Sequence, residues 1–338
     1  MVLDDQSNQN GGERSVRASP QAPGTASERP SIGLALGSGG ARGFAHIGVI
    51  RTLLEHNIVP DIIVGTSIGA VVGGCQAAGR LDLLEEWAVG LTRRGILSYL
   101  DISFSGSGLI GGDRLASRLQ EKLGDITIET LPIRFAAVTT EIDTGHEIWL
   151  TRGRLADALR ASYALPGIFP AVAMAGRWLV DGALVNPVPV SAARVLGARI
   201  VIAVNLSFDV LGRGTIMAGD SLPPVDGTTR QHEPQESGGL RALFGAERAI
   251  KRQFTGNGRR PGIPTVMADA FNIMQDRITR ARLAGDPPDV SINPRVGQVG
   301  WFDFHRAGES IEAGAKATER ELELIDEAIS TLAPRSSS

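Results

Sequence analysis

The sequence predicts a layered α/β fold, and three observations carry that prediction. Two short apolar runs, Ile32 to Leu36 and Asp61 to Gly65, each give way to a tight glycine-containing turn and then to a helical pattern. Consecutive strand-then-helix units imply parallel strands with helices laid on the sheet. Far downstream, Arg199 to Leu206 is another continuous apolar run with the composition of a buried strand.

Taken in order, the first unit passes from Ile32–Leu36 through Gly37-Ser38-Gly39-Gly40 into a helix from Ala41 to about Glu55. The second passes from Asp61–Gly65 through a sharp turn into a small-residue helix from Ile68 to about Ala78. Helical spacing returns at Leu81–Thr92, Asp113–Leu123 and Leu155–Ala164, the last stopped by Pro166, because proline disfavours helix in the residue before it. Strand patterns occupy Ile133–Thr140, Glu147–Thr151 and Trp178–Val180, the last running into Asp181-Gly182-Ala183. From Ser207 to Pro264 Gly and Pro recur and only Gly239–Phe254 has helical spacing, so residues 207–264 read as a long mobile insertion. A helix at Thr265–Leu283, a short strand at Val290–Ile292 and one amphipathic helix from about Ala307 to Leu332 close a domain placed at residues 31–334.

Composition narrows the function. Thirty-four Lys plus Arg against 37 Asp plus Glu leave a net charge of −3, which is not the basic balance of a nucleic-acid binder. Cys75 is the lone cysteine, so an intrachain disulfide and a cysteine zinc site are both excluded, in keeping with a reducing, cytoplasmic setting. Residues Met1 to Pro30 are polar and rich in Ser, Gly, Gln and Pro without a signal-peptide pattern, and are expected to be a disordered tail. No uninterrupted apolar run reaches the ~18 residues of a membrane span, so any bilayer contact is expected to be peripheral. Leu97, Leu100, Ile102, Phe104, Leu109 and Ile110 are candidates for an apolar lip making that contact, which liposome flotation would detect.

Gly65-Thr66-Ser67-Ile68-Gly69 follows the second strand and opens a helix, the context of a nucleophile elbow. There the serine sits on a strained turn, and glycines flank it because side chains would strike the neighbouring strand and helix. Ser67 is thus the candidate nucleophile, and the helix start beneath it favours developing negative charge. The loop Ser38-Gly39-Gly40-Ala41-Arg42-Gly43 offers backbone N–H groups to an oxyanion, which acyl transfer requires. As a dinucleotide fingerprint the loop fails, because Gly-x-Gly-x-x-Gly needs glycine where Arg42 stands. Nor is it a Walker loop, since no Gly-Lys-Ser or Gly-Lys-Thr follows.

A serine hydroxyl needs a partner to accept its proton. Of His46, His56, His146, His232 and His305, the last is worth carrying, because Ser67, Asp181 and His305 follow the chain order of an α/β-hydrolase triad. The alternative is a dyad in which Asp181 takes the proton itself, provided an apolar pocket raises its pKa. An Asp-Gly pair is also an ordinary turn signal, so this motif alone does not choose.

Together these pieces resemble the patatin-like phospholipases, particularly bacterial members near the neuropathy-target-esterase group. The Gly-rich loop with Arg42, the Gly-Thr-Ser-Ile-Gly elbow and Asp181-Gly182-Ala183 stand in that family's order. Further matching stretches are Ala161 to Pro170, Asn186-Pro187-Val188-Pro189 and Asp303-Phe304. The resemblance implies a three-layer patatin-like fold with a central, mostly parallel sheet flanked by helices. It implies a Ser67–Asp181 dyad, with Gly39, Gly40 and Arg42 in the oxyanion loop. It further implies hydrolysis of phospholipids, lysophospholipids or simple fatty esters, without metal or nucleotide cofactor. His305 then becomes structural. A protein that keeps this fold as a non-catalytic scaffold is the competing class, and labelling by a fluorophosphonate would separate the two.

Overall fold

Strand β1 (Ile32–Leu36) is buried along its whole length, as an apolar run with no polar face must be. The computed structural model describes residues 29–92, 113–210 and 263–332. After β1 come α1 (Ala45–Glu55), β2 (Ile62–Thr66), α2 (Ile68–Ala77), α3 (Leu81–Val89), α4 (Asp113–Leu123) and β3 (Arg134–Glu141). There follow β4 (Glu147–Leu150), α5 (Leu155–Ser162), β5 (Val172–Met174), β6 (Arg177–Asp181), α6 (Val190–Val195) and β7 (Ile200–Val204). The remaining elements are α7 (Ile263–Gly285), β8 (Val290–Ile292), α8 (Ala307–Glu319) and α9 (Leu322–Leu332).

The strands form one mixed sheet in the order β5-β6-β3-β2-β1-β7-β8, with β4 also on β3. Strands β3, β2, β1, β7 and β8 are mutually parallel, while β4, β5 and β6 run antiparallel to their neighbours. Alternate residues serve opposite faces. Leu34, Leu36, Ile63 and Phe135 pack with Phe44, Ile47 and Leu159 on one side. Ala35, Val64, Ala136 and Val138 pack with Val190 and Ala193 of α6 and Leu283 of α7 on the other. The result is the helix–sheet–helix layering that the sequence implied, with the core split by the sheet.

One detail of the pairing positions the site. Ala137 to Thr140 of β3 pair with β4 along one edge. On the opposite edge, Val138 faces Thr66 at the end of β2, and Thr139 faces Asp181 at the end of β6. Strands β2 and β6 therefore share that edge and abut, their C-terminal ends converging at neighbouring register positions.

The helix expected from Ala41 begins instead as a 3-10 turn, Gly40–Phe44, and becomes α-helical only at Ala45. Gly40 has φ of 59°, and the Ala41 N–H is taken by the carbonyl of Trp301, so regular α geometry cannot start earlier. The single closing helix is two helices, broken at Arg320–Glu321. Thr318 Oγ1 donates back to the carbonyl of Gly314 at 3.0 Å, a bond that favours bending. α8 packs closely on α1, whereas α9 turns toward β7 and β8 and buries Ile325. β5 and α6 lack a sequence signal of their own. They are short, three and six residues, and β5 forms a hairpin with β6 around left-handed Ala175 and Gly176.

Arg29, from the end of the expected tail, is ordered against Asp61 by hydrogen bonds of 2.7 and 2.8 Å. Residues 1–28 of that tail, most of the 207–264 insertion and the Leu97–Ile110 lip lie outside the described residues. Among the described residues no helix is long and apolar enough to cross a membrane.

Candidate active site

The turn from β2 into α2 holds Ser67 at φ 57° and ψ −125°, a left-handed conformation that a non-glycine residue adopts only when its surroundings impose it. Those surroundings are identifiable. The Ser67 N–H donates to Ser162 Oγ at 2.9 Å, and that hydroxyl donates to the carbonyl of Val138 at 2.7 Å. Gly65 and Gly69 leave no room for a side chain: a Cβ would lie 2.4 Å from the Ala70 backbone in the first case and 2.3 Å from the Leu36 carbonyl in the second. Helix and strand thus close on the serine from both sides, as the elbow motif requires.

Asp181 arrives from the abutting strand end and is fully buried. Its Oδ2 accepts the Ser67 hydroxyl at 2.6 Å, and its Oδ1 accepts the N–H of Ala183 at 2.8 Å. Burial pushes its pKa up to about 7, against the opposing pull of the Ser67 and Ala183 hydrogen bonds. The carboxyl group is consequently close to half ionised near neutral pH. An imidazole cannot be interposed at this separation. His305 lies in a short 3-10 turn, Phe304–Arg306, and does not line the cavity containing Ser67 and Asp181. His46 is buried with Nε2 2.7 Å from the carbonyl of Gly37, and desolvation lowers its pKa to about 4. It braces the start of the Gly-rich loop as a neutral ring.

Of the six loop residues singled out, two have amides already engaged. The Ser38 N–H donates to the carbonyl of Pro187 at 2.9 Å, and the Ala41 N–H to that of Trp301 at 3.0 Å. With Arg42 and Gly43 inside the 3-10 turn, the candidate oxyanion donors narrow to Gly39 and Gly40, whose amides donate to no backbone carbonyl outside that turn among the described residues. A side chain at Gly40 would meet the Trp301 carbonyl at 2.8 Å, so this position needs glycine for space as well as for its φ. Arg42 and Gly43 contribute scaffolding. Arg42 is buried, not a surface residue: its Nε donates to the carbonyl of Gly39 at 3.2 Å, and its guanidinium also bonds Asn272 Oδ1 and stacks over Trp301. Desolvation lowers its pKa to about 10, which leaves it charged at neutral pH.

Sequence reasoning missed the outer supports. Asn272 Oδ1 accepts from both Arg42 and the Trp301 indole, and Gln275 Oε1 accepts the Ser38 hydroxyl at 3.0 Å. Both project from α7, more than two hundred positions downstream of the loop, and no local motif marks them. The Asn186-Pro187 stretch was marked by family resemblance, and its job is now visible. The carbonyl of Asn186 accepts the Thr66 hydroxyl at 2.8 Å, while that of Pro187 holds Ser38, so one short segment ties the elbow to the loop.

Above the hydroxyl–carboxylate pair lies a cavity walled by Phe44, Ile68, Leu165, Phe169, Trp301 and Phe304, with Gly40 on its rim. It offers an aliphatic chain a mostly apolar lining around the Ser67–Asp181 pair. A serine hydroxyl hydrogen-bonded to a buried carboxyl group in an apolar cleft is an arrangement suited to acyl transfer.

A family model described as patatin-like phospholipase matches residues 34–194. An uncharacterized NTE family protein of Mycobacterium tuberculosis is 33% identical over 340 residues, covering 89% of this chain and 93% of that protein. The Drosophila melanogaster neuropathy target esterase sws is 33% identical over 183 residues, 52% of this chain and 13% of that protein. The crystal structure of VipD from Legionella pneumophila aligns with 90% of this chain and 68% of its own, with a TM-score of 0.45 and 14% identity. The long alignment to the mycobacterial relative, joined to the family match across loop, elbow and Asp181, establishes that the chain belongs to the patatin-like phospholipase family, among its NTE-family members, and is a lipid ester hydrolase.

Proposed function

We propose that the protein releases fatty acids from phospholipids, lysophospholipids or related lipid esters, using Ser67 as nucleophile and Asp181 as its direct general base. The observation that carries this reading is the 2.6 Å hydrogen bond from the Ser67 hydroxyl to a buried carboxylate held near pKa 7. An ordinary aspartate is too weak a base to assist a serine hydroxyl efficiently, and raising its pKa toward the working pH removes much of that deficit.

In the first half-reaction Asp181 Oδ2 takes the hydroxyl proton as Ser67 Oγ bonds to the acyl carbonyl carbon. Charge moves to the carbonyl oxygen, which the Gly39 and Gly40 amides are to stabilise. Collapse of this intermediate breaks the ester C–O bond, and Asp181 returns the proton to the departing alcohol. In the second half-reaction a water gives its proton to Asp181 and attacks the acyl-serine. The Ser67 oxygen then leaves, recovers the proton, and frees the fatty acid.

The test is turnover of a lipid panel presented in vesicles, with products identified by mass spectrometry, for wild type, Ser67→Ala, Asp181→Asn and His305→Ala. Ser67→Ala and Asp181→Asn are expected to lose about 10²–10⁴ in rate, and His305→Ala to keep most of it. An active Asp181→Asn beside an inactive His305→Ala would replace the dyad with a triad.

A further inference from the structure

The ladder between β2 and β3 ends at Thr66, which faces Val138, so the backbone of Ser67 lies one residue past the last pair. Its carbonyl belongs to α2, accepting the N–H groups of Ala70 at 3.0 Å and Val71 at 3.2 Å. Its N–H is taken by the Ser162 hydroxyl at 2.9 Å. The rotation φ lies between these two anchors, so together they hold the turn at 57°. A strained non-glycine conformation persists only when it is over-determined in this way.

Ser162 is the last residue of α5 and is wholly buried. Its hydroxyl donates to the carbonyl of Val138 at 2.7 Å, so one oxygen bridges β2 and β3 where direct pairing has stopped. The same carbonyl lies against Gly182, where a Cβ would approach it to 2.3 Å. A side chain at position 182 would therefore displace the group that receives Ser162. Both members of the reacting pair are thus referred to three consecutive residues of β3. Val138 reaches Ser67 through Ser162, Thr139 faces Asp181 in the ladder, and the Thr140 hydroxyl donates to the Asp181 carbonyl at 2.9 Å.

Resting on the dyad reading above, we propose that Ser162 is a positioning residue for catalysis: its hydroxyl, set on the Val138 carbonyl, fixes the Ser67 backbone so that Ser67 Oγ stays on Asp181 Oδ2. Without that hydroxyl the Ser67 N–H and the Val138 carbonyl both lose a partner in a buried site. The elbow then relaxes toward an ordinary φ and carries Oγ away from the carboxylate. A displacement of about 1 Å is enough to cost about 10² in rate. Burial raises the Asp181 pKa, while the Ser67 and Ala183 hydrogen bonds lower it, so losing the Ser67 bond lets it climb further above its value of about 7.

The experiment compares wild type, Ser162→Ala and Ser162→Thr in kcat, KM and the pH midpoint of kcat/KM on a fatty ester, with active sites counted by fluorophosphonate. Ser162→Ala is expected to lower kcat per active site by about 10² with KM unchanged, and to move the midpoint to higher pH. Ser162→Thr, which keeps a hydroxyl, should recover most of kcat and the wild-type midpoint. A role confined to stability reduces the number of active sites and leaves kcat per site and the midpoint where they were, and that result overturns the proposal. A slower Ser162→Ala with the wild-type midpoint overturns it too. Should Ser162→Ala fail to fold, Ser162→Cys, whose sulfur accepts only weakly, is read by the same criteria. Full activity in Asp181→Asn sinks the dyad reading by itself. Ser162 is then judged by the rate of fluorophosphonate labelling: slowing by about tenfold or more in Ser162→Ala upholds its positioning role, and an unchanged rate rejects it.

Discussion

Replacing Asp181 with asparagine is expected to make the protein more stable at alkaline pH while disabling it. The side chain keeps its shape, so an amide nitrogen can face Ser67 Oγ and the amide oxygen can still accept the Ala183 N–H. What disappears is the cost of holding a carboxylate away from water. A pKa raised from 3.8 to about 7 corresponds to about 4 kcal/mol of destabilisation once the group is fully ionised. The sign follows from proton counting. Between those two values the folded protein retains a proton that the unfolded chain has lost, so stability falls as pH rises through this window and levels off above the folded pKa. Urea unfolding of both proteins across the range is the assay, and the advantage of Asp181→Asn over wild type should grow by about 2–3 kcal/mol between ~pH 5 and ~pH 8. The same titration governs rate: kcat/KM of wild type should fall about tenfold per pH unit below the folded pKa. Parallel stability curves for the two proteins would refute the claim that burial holds this carboxylate near neutrality.

Three further perturbations test the supports. Gly40→Ala places a methyl against the Trp301 carbonyl at a left-handed backbone position, and steady-state kinetics should show kcat reduced by about 10²–10³ as the oxyanion amides move. Asn272→Ala removes the acceptor shared by Arg42 and Trp301; it should cost about 1–3 kcal/mol in unfolding free energy and lower kcat, whereas Asn272→Asp, which keeps an acceptor, should recover both. Gly314→Ala would set a Cβ 1.9 Å from the Ala45 carbonyl, where α8 crosses α1. It should destabilise by about 3 kcal/mol or more, while Gly308→Ala on the same helix, with open space around it, should be neutral or slightly stabilising.

Much of the fold was legible because its central strands are short apolar runs, and the bounds of β1, which a glycine cluster closes, and of β8 were placed to the residue. Legibility failed where tertiary contacts overrule local preference. Nothing near Gly40 announces that Trp301 will claim the next amide and tighten the helix start. Thr318 and Glu321 give no warning of a break either, since the turn serves to bring Ile325 onto the sheet edge. At the site, the elbow and its flanking glycines could be read directly, because strain there has a local sequence cost. Nothing local marks either Asp181 or His305 as the neighbour of Ser67, since each looks ordinary in its own stretch of sequence, and it is the strand register that brings Asp181 there. Ser38 and Ala41 show the complementary limit: the loop was recognised, but which of its amides remain available depends on carbonyls far away in sequence.

The abutment of β2 and β6 has a consequence for how the reaction centre withstands change. Ser67 and Asp181 hang from two strand ends that are both paired to β3, so backbone pairing helps to fix their spacing. Substitutions around the cleft can reshape which lipids enter without altering that separation. A slip in the β3–β6 ladder would be different in kind, because moving by one residue turns Asp181 to the other face of the sheet. Diversification within such a scaffold should accordingly accumulate on the cleft walls and spare the pairing residues Thr139 and Thr140.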